Sequence, residues 1–166
     1  MEHWVAVYGN AVSIAEHRVE QYSKDVTLRY PIYIPFAGNA LRLTFDNFCG
    51  TEAVSITKTT LLCGDTFLPV TFGGRESVSI PAGEQAVSDP VEGKFQAMQT
   101  VFVSFYLGEI TQMRAAVGVR GPLSGGLFCV GDGTGVVNFD PAKYKAVEQY
   151  YFLTGVSLRT DGENRA

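Results

Sequence analysis

The strictest constraint on this chain is a period-two pattern running from Thr27 to Asp46. Leu28, Tyr30, Ile32 and Ile34 alternate with Thr27, Arg29, Pro31 and Tyr33. After Pro35-Phe36-Ala37-Gly38-Asn39, Leu41, Leu43 and Phe45 alternate with Arg42, Thr44 and Asp46. Successive side chains of a strand point to opposite faces, so this spacing marks two half-buried strands rather than a helix. The residues between them carry turn chemistry, which predicts a hairpin. With a loop at Phe36–Asn39, Ile34/Leu41, Ile32/Leu43 and Tyr30/Phe45 pair on the core face, and Tyr33/Arg42 and Arg29/Asp46 on the other. A two-residue loop at Gly38-Asn39 keeps those faces and shifts the partners by two. Pro31 cannot donate to a ladder and is expected at a sheet edge or a bulge.

Further strand signals follow at short spacing. Val54 to Cys63 is rich in β-branched residues, Phe67 to Phe72 ends at Gly73-Gly74, and Ser77 to Ile80 stops at Pro81-Ala82-Gly83-Glu84. Thr100 to Leu107 is apolar on both faces, as expected of a central sandwich strand. Leu127 to Val130 and Tyr151 to Leu158 complete the set. Asp140-Pro141-Ala142-Lys143-Tyr144-Lys145-Ala146-Val147 is the best helical candidate, with Asp140 as N-cap and Pro141 at the first helical position. Many short strands separated by turns predict an all-β domain, a β-sandwich of jelly-roll type with at most one or two short helical turns. The domain is expected over residues 1–158, with 159–166 a polar tail or linker.

Of 166 residues, 46% are hydrophobic and 18% charged, a globular composition large enough to bury roughly two thirds of its unfolded surface. The net charge of −4 comes from interspersed residues without a Lys/Arg run, so no nucleic-acid footprint is expected. No apolar stretch approaches the roughly 20 residues of a membrane span. Met1-Glu2-His3-Trp4 has no basic or apolar leader pattern, which makes the cytoplasm the expected compartment, or a secreted location if a signal segment has been removed. Cys49, Cys63 and Cys129 cannot all pair within one chain, and a buried reduced thiol is expected at each.

Motifs for chemistry are sparse. The histidines, His3 and His17, both lie in the first 17 residues, and His17 beside Glu16 and Glu20 is expected to be a solvated surface group. No G-x-S-x-G occurs. Gly64-Asp65-Thr66 is expected to be a turn between strands rather than a nucleophile block. Neither histidines nor cysteines repeat a metal-ligand spacing, and Gly131-Asp132-Gly133-Thr134-Gly135 lacks the lysine and the strand–helix context of a phosphate loop. It is expected to be a flexible turn. No cofactor, metal or catalytic residue is therefore expected. Trp4, Tyr144, Tyr150 and Tyr151 are candidates for a sugar-binding platform.

Several segments together resemble the N-terminal domain of a group of SGNH/GDSL esterases. These are Thr27-Leu28-Arg29, Gly38-Asn39-Ala40-Leu41-Arg42-Leu43, the turn Asp46-Asn47-Phe48-Cys49-Gly50-Thr51-Glu52, and Thr71-Phe72-Gly73-Gly74-Arg75-Glu76-Ser77-Val78-Ser79-Ile80-Pro81-Ala82-Gly83 continuing to Val87-Ser88-Asp89-Pro90-Val91. Val103 to Leu107 and Tyr151 to Ser157 fit the later strands. Where the family commonly has a T-x-H stretch, this chain has Thr111-Gln112-Met113-Arg114 and no histidine.

The resemblance implies a non-catalytic β-sandwich that packs on or assists a C-terminal SGNH catalytic domain, whose serine-bearing block follows beyond Ala166. A carbohydrate-binding module with a glycan partner is the alternative. Arg29, Arg42, Asn47, Asp89 and Tyr151 are the candidate contacts to that domain or to a ligand. As architecture, Asn47 and Asp89 are expected to bond nearby turn backbone, and Arg29 and Arg42 to cover sheet surface and pair with carboxylates. The apolar run Tyr150-Tyr151-Phe152-Leu153 is expected to contribute to a docking surface.

Overall fold

The structure is a computed structural model that describes residues 2–9, 13–14, 22–118, 125–147 and 149–161. Its strands are, in chain order, β1 (Glu2–Gly9), β2 (Ser13–Ile14), β3 (Tyr22–Ser23), β4 (Val26–Ile34), β5 (Gly38–Asp46) and β6 (Val54–Ile56). They continue with β7 (Lys58–Cys63), β8 (Thr66–Val70), β9 (Val78–Ile80), β10 (Gln85–Val87), β11 (Val91–Phe95) and β12 (Gln99–Leu107). The last six are β13 (Thr111–Gln112), β14 (Ala115–Gly118), β15 (Gly126–Val130), β16 (Tyr144–Val147), β17 (Gln149–Tyr151) and β18 (Leu153–Asp161). The fold is all-β, with antiparallel pairing throughout.

Two principal sheets face each other. The first runs β1-β18-β5, with β10 and β11 end to end on the far side of β5; the second runs β16-β15-β4-β12-β7-β8. Between them lies one apolar core to which both contribute, Leu41, Leu43, Phe45 and Val156 from the first and Leu28, Tyr30, Ile32, Val103 and Phe105 from the second. Phe45 and Phe105 meet edge to face across the interior, centroids 5.1 Å apart.

The alternation from Thr27 to Asp46 gives the core face correctly: Leu28, Tyr30, Ile32, Ile34, Leu41, Leu43 and Phe45 are all buried. The hairpin is not formed. β4 pairs with β12 and β15, whereas β5 pairs with β18, β10 and β11. The chain between them crosses from one sheet to the other, so the two apolar rows point at each other across the core instead of lying side by side. Alternation is identical for both arrangements, because it reports a strand's faces and not its neighbours. The run from Val54 to Cys63 divides for the same reason: β6 pairs with β9, and after Thr57 β7 joins the second sheet. On one side of β4, β15 pairs only from Val26 to Arg29, so Pro31 lies beyond that paired stretch.

Gly64-Asp65 is the turn of the β7–β8 hairpin. Asp140 to Lys143 forms a single turn, with Asp140 accepting from the Ala142 amide at 3.0 Å, and the chain then becomes β16 instead of a helix. Pairing opposite Leu127 and Phe128 overrides its helical propensity. The polar end is strand as far as Asp161, zipped to Glu2–Gly9, so the expected tail at Arg159 begins too early. Tyr150, Tyr151, Phe152 and Leu153 are all buried, so these four side chains form no docking surface. Phe152, at φ 66, interrupts the strand alternation between β17 and β18. The Tyr30 hydroxyl fastens that break, donating to the Gln149 carbonyl and accepting from the Tyr151 amide, both at 2.9 Å. No disulfide forms among the described residues; Cys129 is buried and Cys49 and Cys63 are half-buried. No helix among the described residues is long and apolar enough to cross a membrane.

Candidate functional site

The outer face of the second sheet departs from the usual polar exterior of an antiparallel sheet. Alternation puts Thr27, Arg29 and Pro31 of β4 on that face. Cross-strand pairing adds Phe102 and Ser104 of β12, Thr60 and Leu62 of β7, and Leu127 and Cys129 of β15. An apolar exterior needs a cover, and the chain from Gly131 to Asp140 supplies one.

The cover is fastened by bonds from the sheet. Thr27 Oγ1 donates to the Gly131 carbonyl at 2.7 Å and accepts from the Gly133 amide at 2.8 Å. Thr60 Oγ1 donates to the Thr134 carbonyl at 2.7 Å. Arg29 makes the largest set: Nε to Ser104 Oγ at 2.7 Å, Nη1 to the Val137 carbonyl at 2.9 Å, and Nη2 to the carbonyls of Val136 at 2.6 Å and Gly133 at 3.0 Å. The Phe139 ring lies over the guanidinium at 4.0 Å. Asp132 accepts from both the amide and the hydroxyl of Thr134, bracing the turn internally. The glycine-rich segment is thus a turn between strands, as expected, but a bonded one in place of a flexible one. Gly133 is required by space: a Cβ there would sit 2.5 Å from a Phe139 ring carbon.

The cover leaves part of the face open. A cleft of about 380 Å³ remains, walled by Leu62, Phe102 and Leu127 from the sheet and by Val137, Asn138 and Phe139 from the cover, with Tyr144, Gly64 and Arg29 completing it. Arg29 is 3% exposed, and its acceptors are a hydroxyl and three backbone carbonyls, not the carboxylate expected for it. Burial lowers its pKa to about 10, still well above neutral, so it stays charged. Cys129 beside it is held above the ordinary thiol value by burial, which keeps it protonated at neutral pH and weak as a nucleophile. Burial does the same at Cys63.

The other candidates do not gather at this cleft. Arg42 lies on the opposite exterior, its guanidinium 4.3 Å from the Trp4 ring centroid, where Arg159 also approaches at 5.7 Å. Among the described residues Arg42 has no carboxylate partner; the ion pairs there belong to Arg159, with Glu92 at 2.5 Å and Glu2 at 3.7 Å. Asn47 and Asp89 bond turn backbone, as expected. Asn47 Nδ2 donates to the carbonyls of Glu52 at 2.8 Å and Ile80 at 3.1 Å. Asp89 accepts from the amides of Gly73 and Gly74 and from Thr71 Oγ1. Gly73 and Gly74 have φ of 60 and 80, angles that side chains other than glycine adopt at a cost, and those three donors hold the Asp89 carboxyl below its usual value. Tyr151 is core, and Tyr150 stacks on Tyr30 at 4.1 Å.

The Thr111-Gln112-Met113-Arg114 stretch braces the turn at 49–52. The Thr51 amide donates to Gln112 Oε1 at 2.9 Å, and Arg114 Nε donates to the Cys49 carbonyl at 2.9 Å. His17 lies outside the described residues, and His3 stands in β1 opposite Thr160. The cleft-lining residues Leu62, Phe102, Leu127 and Phe139 went unrecognised as such in the sequence. Their one signal was the two-faced apolarity of Thr100–Leu107, which requires a cover on the second face. No protein-family model and no curated protein matches the chain.

Proposed function

We propose that this sandwich, wound as a jelly roll, is a non-catalytic module that assists an ester-hydrolysing catalytic domain of the SGNH/GDSL type. The supporting observation is that two of the segments carrying the resemblance, 46–52 and 71–91, form one folded corner. Asp89, near the end of the longest matched stretch, bonds Thr71, Gly73 and Gly74 at its start. Asn47, in the preceding matched turn, reaches Ile80, exchanges backbone bonds with Gly83 and Glu84, and so ties that turn to the same stretch. Those two segments are therefore one connected unit, and Asn47 and Asp89 are its fasteners. The thiols of Cys63 and Cys129, raised by burial, and the absence of a nucleophile motif in the sequence agree with a module that performs no ester chemistry itself.

The glycan-binding alternative draws less support. Tyr150 and Tyr151 are buried, Trp4 carries Arg42 on its ring, and Tyr144, 37% exposed, is the remaining open aromatic of the four. The test is hydrolysis of p-nitrophenyl acetate by this chain, together with sequencing of the gene beyond the Ala166 codon. The expected result is no turnover above buffer and a downstream G-D-S block with a distal histidine. Turnover lost on replacing one serine or threonine of this chain, or a gene without such a block, contradicts the proposal.

A further inference from the structure

We propose that the cleft between the Gly131–Asp140 cover and the outer face of the second sheet binds a small organic monocarboxylate with an apolar body, with Arg29 supplying the counter-charge. This inference does not rest on the accessory-module reading.

Three observations converge. The first is size and lining: about 380 Å³ is within the range of small-molecule sites, and Leu62, Phe102, Leu127, Val137 and Phe139 give it apolar walls. The second is charge. Among the described residues Arg29 is the one ionised side chain lining the cleft, buried and without a carboxylate partner. The acids closest in sequence to the cover's ends are occupied with their own turns: Asp132 accepts from Thr134, and Asp140 from the Ala142 amide. A cation in a low-dielectric wall with only neutral acceptors attracts an anion more strongly than a surface arginine does. The third is donor count. A guanidinium has five N–H groups. Four are taken by Ser104, Val137, Val136 and Gly133, leaving one on Nη1. Asn138 and Tyr144 add polar groups to the lining.

One positive charge and one remaining N–H suit a monoanion, and the apolar walls suit a ligand with a hydrocarbon or aromatic body. A phosphate would find a single cation and an apolar surround, a poor match for its charge and its acceptors. A neutral sugar would leave the cation uncompensated. The same guanidinium both fastens the cover and polarises the cleft, so its structural role does not compete with the ligand.

Phenylacetate and its uncharged isostere phenylacetamide are the probes, titrated into the wild-type chain by calorimetry and by amide chemical-shift mapping. Phenylacetate is expected to bind with a millimolar or tighter Kd, at least about tenfold tighter than the amide. Its shifts are expected to centre on Gly133, Val137, Phe139 and Tyr144. Leu127→Trp, at the position paired with Arg29, fills the cleft with the arginine itself retained; this variant is expected to melt cooperatively and lose phenylacetate binding. Equal affinity for the two probes, no binding by ~10 mM phenylacetate, shifts centred elsewhere, or undiminished binding to a folded Leu127→Trp chain each overturns the proposal.

Discussion

Arg29 and Arg42 occupy equivalent sequence settings, each a polar residue between apolar neighbours of a core strand, yet the two exteriors they stand on are built differently. On the first sheet, Arg42 lies half-buried across the Trp4 ring, where its charge remains in contact with water. On the second, Arg29 lies under a returning segment of chain and serves as that segment's main anchor. A solvated guanidinium on an aromatic ring contributes about 0.5–1 kcal/mol. A buried one bonded to otherwise unsatisfied carbonyls is worth several times more to lose. The difference teaches that an arginine's weight in this fold is set by what covers it.

The largest expected effect follows directly. Arg29→Ala leaves the Gly133, Val136 and Val137 carbonyls without their donor and is expected to lower stability by about 3 kcal/mol or more. Urea unfolding measures this, and a loss below that of Arg42→Ala would erase the contrast between the exteriors.

Gly133→Ala is expected next, at about 1–3 kcal/mol, because the added methyl meets the Phe139 ring that lies on Arg29. Gly135→Ala, where a Cβ meets open space, is expected to stay within about 0.5 kcal/mol. Equal losses at the two glycines would mean that the Phe139 contact does not constrain the cover.

The pH dependence sharpens the same theme with acids. Hydrogen bonds depress the Asp89 pKa in the folded chain, so its contribution is present above the usual 3.8 and is lost as pH falls through the lower folded value. Burial raises the Asp46 pKa, so its contribution is present below 3.8 and is lost as pH rises through the higher folded value. Asp89→Asn is therefore expected to cost stability above the usual value and to converge with wild type in acid. Asp46→Asn, which can still accept from the Phe48 amide, is expected to gain relative to wild type as pH rises. Melting temperatures across about pH 2–6 measure both, and parallel curves for the two variants would contradict this assignment. A small effect, about 0.5–1 kcal/mol, is expected at Arg42→Ala, measured by the same urea series.

Much of the architecture was legible because its causes are local. Alternation assigned inward faces to Leu28 through Phe45, since a strand's two-residue period survives in any sheet. Asn47 and Asp89 were legible as turn fasteners by residue type, but the remote backbone they bond, Ile80 for Asn47 and Gly73 and Gly74 for Asp89, was not. Partners were not legible: the link at Pro35-Phe36-Ala37 leads into the opposite sheet, and nothing in the pattern separates an arch from a hairpin. The burial of Tyr150 to Leu153 escaped because it depends on one backbone angle at Phe152. The cleft escaped because its walls come from residues far apart in sequence, with Leu62, Phe102, Leu127 and Phe139 joined only by strand pairing and by the return of the cover.

The central claim is that Arg29 holds the 131–140 cover onto the second sheet and so forms the cleft. Amide hydrogen exchange compared among wild type, Arg29→Lys and Arg42→Ala tests it most directly, because lysine keeps the charge but cannot reach three carbonyls and Ser104 at once. Faster exchange at Gly133, Thr134 and Val136 is predicted in Arg29→Lys, with β5 and β18 unchanged, and no change at those three amides in Arg42→Ala. Undiminished protection of the cover in a folded Arg29→Lys chain would contradict the account.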